Sequence, residues 1–562
     1  MVAETRLAPN SEWRSSVNID LILRGGRIHT MSAVGTTDAV AIHDGRIIAL
    51  GEDALRLDAR VTRDIRGKTV LPGFIDAHAH SVWFGLTLVE LDVAPARSLD
   101  EIYALVAERA SDTPAGEWIV GAGFNQMSVG NRYPDPDRLT IAAGGRPVWL
   151  KHTSGHACVL NRAAMSETGV YEAALRGVEG GRIVLDERGE PTGLLEEQAM
   201  RLVQDVMLPY PLARIEEALE AATAHYVSEG LTSVTDAGIG GGWIGHSPQE
   251  FSAYQNVLAR GSLRTRQQVM PESSTLARHG EPGATGSFVG FNTGVRSGLG
   301  DDRLQLGPAK FFLDGSILGA TARMTEEYHH CAGSHGYYQG NRDDIRGHAL
   351  DAGRGGWALA MHAVGDEAVD LAIDIAHTLR AEGITPPMPH RVEHGGVVRP
   401  EQLTELAEAG LTVIGQPRFL TLYGDGFREF IGDDRAEWSF RSKSLLDAGM
   451  SLALTSDRPV APGAPLSVIE SSMLRRTESG HLYGAHERLT IDEALAAYTT
   501  GPAQVTGWAG RKGVIAVGAL ADLAVLGADP CDVLPEEVSD IPVAATVLGG
   551  EAVYDPEGVI AV

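Results

Sequence analysis

Five short apolar runs in this chain carry or close on side chains that bind metal ions. GFIDAHAH ends in His78 and His80, LQLGPAKFF carries Lys310, WALAMHAV carries His362, HRVEHG carries His394 and MSLALTSD ends in Asp457. Strand side chains alternate faces with period two, so His78 and His80 share one face while Ala77 and Ala79 take the other. Two imidazoles on one face can share one cation, and packing alone gives little reason for such a pair at the end of an apolar strand. Imidazole with carboxylate suits zinc, and also cobalt, nickel or iron, so zinc is favoured by availability rather than by uniqueness. Lys310 precedes Phe311 and Phe312, where an unpaired ammonium is costly, and the position asks for a ligand or an ion-paired role.

Such groups need a scaffold that gathers strand ends. Ile215, Leu219, Ala222 and Tyr226 fall at helical spacing before Gly230 and LTSVTDAG; Leu403, Leu406 and Ala407 precede Gly410 and LTVIGQP; Leu445 and Leu446 precede Gly449 and MSLALTSD. Repeated helix, glycine and strand imply a parallel sheet with crossovers. With GFIDAHAH, RTRQQVM, LQLGPAKFF, WALAMHAV and HRVEHG, the chain offers eight candidate strands. The expected fold class is therefore α/β, a (β/α)8 TIM barrel, whose reactive groups gather at the carboxyl ends of the strands.

About 150 residues separate His80 from Leu231, far more than one crossover uses, so an inserted subdomain is expected at about 90–212. It holds a helix at LDEIYALVAERA and a hairpin at GGRIVLDERGEPTG. Short β-branched segments at IDLIL, RIHTM, AVAIH and RIIAL, and again at DLAVLG and AATVLGGEAVYD, predict a small β-sandwich built from both chain ends. The boundaries read from these patterns are 1–73 and 505–562 for the sandwich and 74–504 for the barrel.

The 562 residues carry 47 Lys and Arg against 74 Asp and Glu, a formal charge of -27 that repels phosphate backbones and anionic membranes. A nucleic-acid partner is not expected. Three cysteines, Cys158, Cys331 and Cys531, are too few and too scattered for a disulfide framework. The opening MVAETRLAPNSEWRSS lacks the apolar centre of a signal peptide, and no run of about 18 apolar residues predicts a membrane span. A cytoplasmic enzyme acting on a small molecule is the expectation, with a homodimer the commonest assembly.

Across nearly its whole length the sequence resembles the amidohydrolase superfamily, and within it the YtcJ-like branch that includes N-substituted formamide deformylases. The resemblance rests on PGFIDAHAH, SGHACVLNRAAM, GEPTGLLEEQA, AKFFLDGSILGATA, MHAVGDEAVD, RVEHGGVV with GQPRFL, LTSDRPVAP and the tail GVIAVGALADLAVLGADP. It implies that His78 and His80 hold the more buried metal, that His362 and His394 hold a second metal or the substrate, and that Asp457 is ligand and general base. Lys310 aligns with a lysine that many members carbamylate to bridge two metals, so one or two zinc ions are implied. The implied reaction is hydrolysis of an amide-type C–N bond by metal-activated water. Asp457 takes a proton and returns it to the leaving nitrogen, and the metal or His362 polarises the carbonyl.

Around that centre, His156 is a candidate to place substrate from the inserted region, or else to make a structural hydrogen bond. Trp83, Phe84 and Phe124 are candidates for an aromatic pocket or for core, and the resemblance suggests that Asp314 and Arg323 shape the pocket. Glu393 is a candidate to orient a ligand, although alternation sets it on the opposite face from His394. The same centre would serve hydrolysis or deamination of a cyclic amidine, imide or lactam. A barrel that binds metal without catalysis is the remaining alternative, against which the retained Asp457 speaks.

Overall fold

The computed structural model describes residues 19–560 apart from 154–156, 179–180, 243, 281–287, 330 and 332. Nine parallel strands follow one another along the chain: β1 (Phe74–Ala79), β2 (Leu231–Ile239), β3 (Arg266–Pro271), β4 (Leu304–Leu306), β5 (Ala309–Phe312), β6 (Leu359–Ala363), β7 (Arg391–His394), β8 (Thr412–Gly415) and β9 (Leu452–Leu454). They form two parallel sheets, one running β1 to β4 and the other β5 to β9 in spatial order. The expected LQLGPAKFF strand appears as two pieces. Gly307 donates to Val269 O, and Pro308 has no N–H to offer the ladder, so the strand breaks between β4 and β5.

The helices lie where the apolar spacing predicts them. Leu212–Ser228 buries Ile215, Leu219, Ala222 and Tyr226 ahead of β2, and Gln402–Ala409 buries Leu406 ahead of β8. The second ends on Gly410 at φ 72, a left-handed cap that a residue with a Cβ resists. Every residue of β1, β2 and β3 is buried, as in a parallel sheet covered on both faces. Phe74, Leu231, Phe311, Met361, Val392, Val413 and Leu452 belong to one core, so the two parallel sheets share their packing.

The helix Ser81–Val89, which follows β1, packs so closely on Leu212–Ser228 that a Cβ on Gly85 would lie 1.9 Å from Ala218 O. Backbone cannot yield as a side chain does. Gly85→Ala is therefore expected to destabilise by about 1–3 kcal/mol, seen as a lower urea midpoint at unchanged m-value.

One edge of β6 is set by a histidine. Leu359 N donates to Nδ1 of His390 at 3.0 Å, and burial lowers the His390 pKa from 6.5 to about 4. A proton on Nδ1 would remove the acceptor. Because the folded pKa lies below the unfolded one, this contribution is complete above pH 6.5 and is lost as the pH falls towards 4. In urea titrations the stability of wild type relative to His390→Gln is expected to fall by about 3 kcal/mol across that window. A difference that does not change with pH would refute the assignment.

Both chain ends enter one eight-stranded sheet. Ile19–His29, Thr36–His43, Arg46–Leu50, Ala59–Asp64 and Thr69–Pro72 come from one end, and Leu523–Leu526, Val543–Leu548 and Glu551–Tyr554 from the other. Antiparallel pairing of Thr69–Pro72 with Leu523–Leu526 joins them over a common core that includes Leu23, Val40, Val70, Leu523 and Val547. Between β1 and β2 a six-stranded mixed sheet spans Leu91–Asp92 to Pro191–Glu197 and ends in the expected hairpin, Gly181–Leu185 against Pro191–Glu197. Its helix Leu99–Asp112 starts on Ser98, whose hydroxyl accepts from Glu101 N. Among the described residues no helix is long and apolar enough to cross a membrane.

Candidate metal centre

Asp76, two residues before His78 on β1, fixes the floor of the site. Its carboxylate accepts from Thr455 Oγ1 and Ser456 Oγ at 2.6 Å each, and from His78 N at 3.2 Å. Asp457 N donates to His78 O and His80 N to Arg458 O, both at 2.9 Å. The chain just beyond β9 is thereby laid along the end of β1, and Asp457 is set against the two imidazoles.

His78, His80 and Asp457 offer ligand atoms that all lie within 4.8 Å of one another, and all three residues are buried. Asp457 Oδ1 is 3.3 Å from His78 Nε2 and 3.0 Å from His80 Nε2, yet it accepts no hydrogen bond. Lys310 Nζ stands 3.5 Å from His78 Nε2, and Asp457 Oδ2 is 3.9 Å from His394 Nδ1. The His394 ring centroid is 5.0 Å from that of His78 and 4.5 Å from that of His362.

Three of the imidazoles have their protons assigned by acceptors. His78 Nδ1 meets Glu393 Oε2 in a short hydrogen bond. His394 Nδ1 meets Gln416 Oε1 at 3.0 Å, while the Gln416 amide nitrogen is spent on Ile414 O. His362 Nε2 meets Gly315 O at 3.0 Å. A neutral ring that donates from one nitrogen keeps a bare lone pair on the other. His394 then presents Nε2 and His362 Nδ1 as lone pairs within the ring cluster, and His78 presents Nε2 3.3 Å from the donorless Asp457 Oδ1. Lone pairs facing a carboxylate repel unless a cation lies between them, so the donor set fits a divalent metal.

The electrostatics agree. Burial lowers His80 to about 4 and His362 to about 3, and it lowers His394 well below the usual range, keeping these rings neutral as metal ligation requires. Asp457 is held well below the usual carboxylate range despite its burial, and Glu393 likewise because of Arg391 and His78. Burial brings Lys310 down to about 8, with Glu393 and Asp457 opposing it.

Two of these residues sit in a backbone region that side chains avoid: His394 at φ 76 and Asp457 at φ 54. Such positions cost about 1–3 kcal/mol each and cluster at functional sites. The turn at His394 also explains Glu393. Regular alternation would send Glu393 away from its neighbour, but the left-handed residue lets both approach the cluster, and Glu393 holds His78 rather than His394.

The remaining candidates are dispersed. The Trp83 ring lies 5.7 Å from that of His80. Asp314 accepts backbone N–H groups from Arg323, Val364 and Gly365 at 2.9, 3.0 and 2.7 Å, and lies 3.8 Å from His362 Nε2. Arg323 pairs with Glu367 at 2.8 Å. Phe124 is buried in the core of the six-stranded sheet, against Tyr133 and His152. Phe84 lies under the Arg458 guanidinium, which also reaches Tyr226 and pairs with Glu229 at 2.7 Å. His156 lies outside the described residues.

Sequence reasoning did not single out Asp76, Asp236, Arg391, Gln416 or Arg458. Asp236 caps the helix that follows His80, accepting from Ser81 N at 3.0 Å and Val82 N at 3.4 Å. Each is a polar residue inside or beside an apolar run, the one signal that marked it.

Residues 61–554 match the model of the Amidohydrolase family, and the chain belongs to that family. It is a metal-dependent hydrolase that acts on carbon–nitrogen bonds other than peptide bonds. It is 30% identical to YtcJ of Bacillus subtilis (strain 168) over 554 residues, 95% of this chain and 99% of that protein. It is 27% identical over 565 residues to the N-substituted formamide deformylase of Arthrobacter pascens, covering 96% and 99%. A metal-dependent hydrolase of Pyrococcus horikoshii OT3 shares the fold, with a TM-score of 0.74 at 23% identity over 92% of this chain and 99% of that one.

Proposed function

We propose that this enzyme hydrolyses a linear amide-type bond in a small molecule, an N-substituted formamide or another N-acyl amine. The observation that carries the reading is the donorless Asp457 Oδ1 beside the imidazole nitrogens of His78 and His80. The N-substituted formamide deformylase supports the choice of substrate class. His78, His80 and Asp457 would hold a zinc ion, with Lys310, His362 and His394 completing this or a second site. Bound there, the ion supplies Lewis acidity and brings the pKa of water from about 15.7 to about 7.

Asp457, ionised at neutral pH, takes a proton from the attacking water and delivers it to the departing nitrogen. With Nε2–H of His362 engaged by Gly315 O, its Nδ1 has no proton to offer a carbonyl, which favours ligation over polarisation as its role. Lys310, buried and lowered to about 8, holds more of the neutral amine that carbamylation by carbon dioxide consumes. Trp83, Asp314, Arg323, Phe124 and His156 remain the substrate-side candidates.

The same reading treats the two parallel sheets as one closed (β/α)8 barrel. Its support is the parallel bridge from Glu272 to Lys310 at one seam and the His80–Arg458 and Asp457–His78 backbone bonds at the other. The barrel takes residues 74–504 with an insertion at about 90–212, and the chain ends 1–73 and 505–562 form the sandwich. A cytoplasmic homodimer is part of this reading.

The test is a panel of N-benzylformamide, N-acyl amines, N-acyl amino acids, cyclic imides and aryl esters, offered to zinc-loaded and chelator-stripped protein. Turnover of a linear amide that disappears on stripping and returns with metal is expected. Turnover confined to cyclic imides would overturn the linear-amide assignment, and metal binding without any turnover would overturn catalysis.

A further inference from the structure

A second group of ligand-type side chains lies in the sheet made from the chain ends. His29 closes the strand Ile19–His29, and Asp529 and Cys531 follow the strand Leu523–Leu526. Thr69–Pro72 lies between these two strands and pairs with both, which brings an imidazole nitrogen, a carboxylate oxygen and a thiol sulfur within 4.8 Å of one another.

Asp529 is buried, His29 half-buried and Cys531 exposed, so the group opens to solvent on the thiol side. Asp529 Oδ2 is 2.8 Å from His29 Nε2, and its Oδ1 accepts from Cys531 N at 2.9 Å, which turns the chain back on the carboxylate. Asp532 and Asp492 add negative charge around the sulfur. Arg27 answers part of it, reaching Asp529 and Asp532 at 2.7 Å each, and Asp532 remains as its partner when Asp529 turns elsewhere. Partial desolvation of the sulfur on its protein side and these carboxylates push the Cys531 thiol up to about 12, so without a cation it stays protonated.

We propose that His29, Asp529 and Cys531 form a structural site for a thiophilic divalent cation such as zinc, separate from the catalytic centre. One imidazole, one carboxylate and one thiolate are ligand types that zinc takes together, and water or Asp532 completes four-coordination. On binding, Cys531 Sγ gives its proton to solvent and its lone pair to the cation, with no change of oxidation state. The ion then clips the first described strand to the C-terminal strands and stabilises the folded chain by mass action.

The catalytic cluster offers only nitrogen and oxygen donors, so sulfur ligation reports on the new site alone. Cobalt(II) is added to the full chain after the catalytic centre has been filled with zinc, and the near-ultraviolet thiolate-to-cobalt charge-transfer band is recorded. The band is expected in wild type and in Cys331→Ser, to be abolished in Cys531→Ser, and to weaken in His29→Ala. Excess zinc is expected to raise the unfolding temperature of wild type but not of Cys531→Ser, at equal hydrolytic rates. Absence of the band in wild type, or its survival in Cys531→Ser, would overturn the proposal.

Discussion

Asp457→Asn is expected to fold as wild type does and to lose about 10²–10⁴-fold in kcat. Asparagine has nearly the same shape, tolerates the left-handed backbone at φ 54, and keeps the N–H that reaches His78 O. What it lacks is the negative charge that Asp457 carries, and with it the capacity to take a proton at neutral pH. Assays at saturating metal, beside circular dichroism and metal content, separate lost chemistry from a lost ion. A variant that retained near-normal kcat would remove Asp457 from the proton path.

Glu393→Gln is expected to act on stability and on metal affinity together. Arg391 and Glu393 are both fully buried, 2.5 and 3.0 Å apart at their two contacts, and Arg391 also donates to Ala77 O at 2.6 Å. Taking the charge from Glu393 leaves a buried guanidinium without its counter-ion, a loss of about 3–5 kcal/mol. It also weakens the acceptor that fixes the His78 tautomer, where such partners are worth about 10–100-fold in metal affinity. Urea titration measures the first and competition against a chelator the second. If affinity holds while stability falls, Glu393 supports the fold without orienting His78.

The positions that could be read from sequence alone are those fixed by local periodicity. The same-face pair His78 and His80, the helices ahead of Gly230 and Gly410, and the hairpin near Gly181–Leu185 follow from repeats of two or 3.6 residues. What escaped depends on non-local contact or on an exception to those repeats. Asp76 matters because Thr455 and Ser456 meet it from the far end of the parallel strands. Glu393 reaches the site because one residue, His394, leaves the strand conformation. Gln416 orients His394 from the end of a different strand, and no spacing within either segment announces it. Phe124, a candidate by its aromatic ring, is buried in a sheet whose packing no single segment displays.

The junction of Thr69–Pro72 with Leu523–Leu526 constrains the order in which the molecule can be made. Gly73 alone separates Thr69–Pro72 from the strand that bears His78 and leads into His80, and its N–H donates to Asp522 O. During synthesis this segment emerges early and can pair with Ile19–His29 along one edge, but its other edge has no partner until the ribosome has added some 450 further residues, so that pairing carries a large loop-closure cost. The reactive strand is thus anchored last, after nearly all of the chain exists. A nascent chain stalled before Leu523 would hold every proposed ligand of the catalytic centre and still lack the strap that braces the first of them.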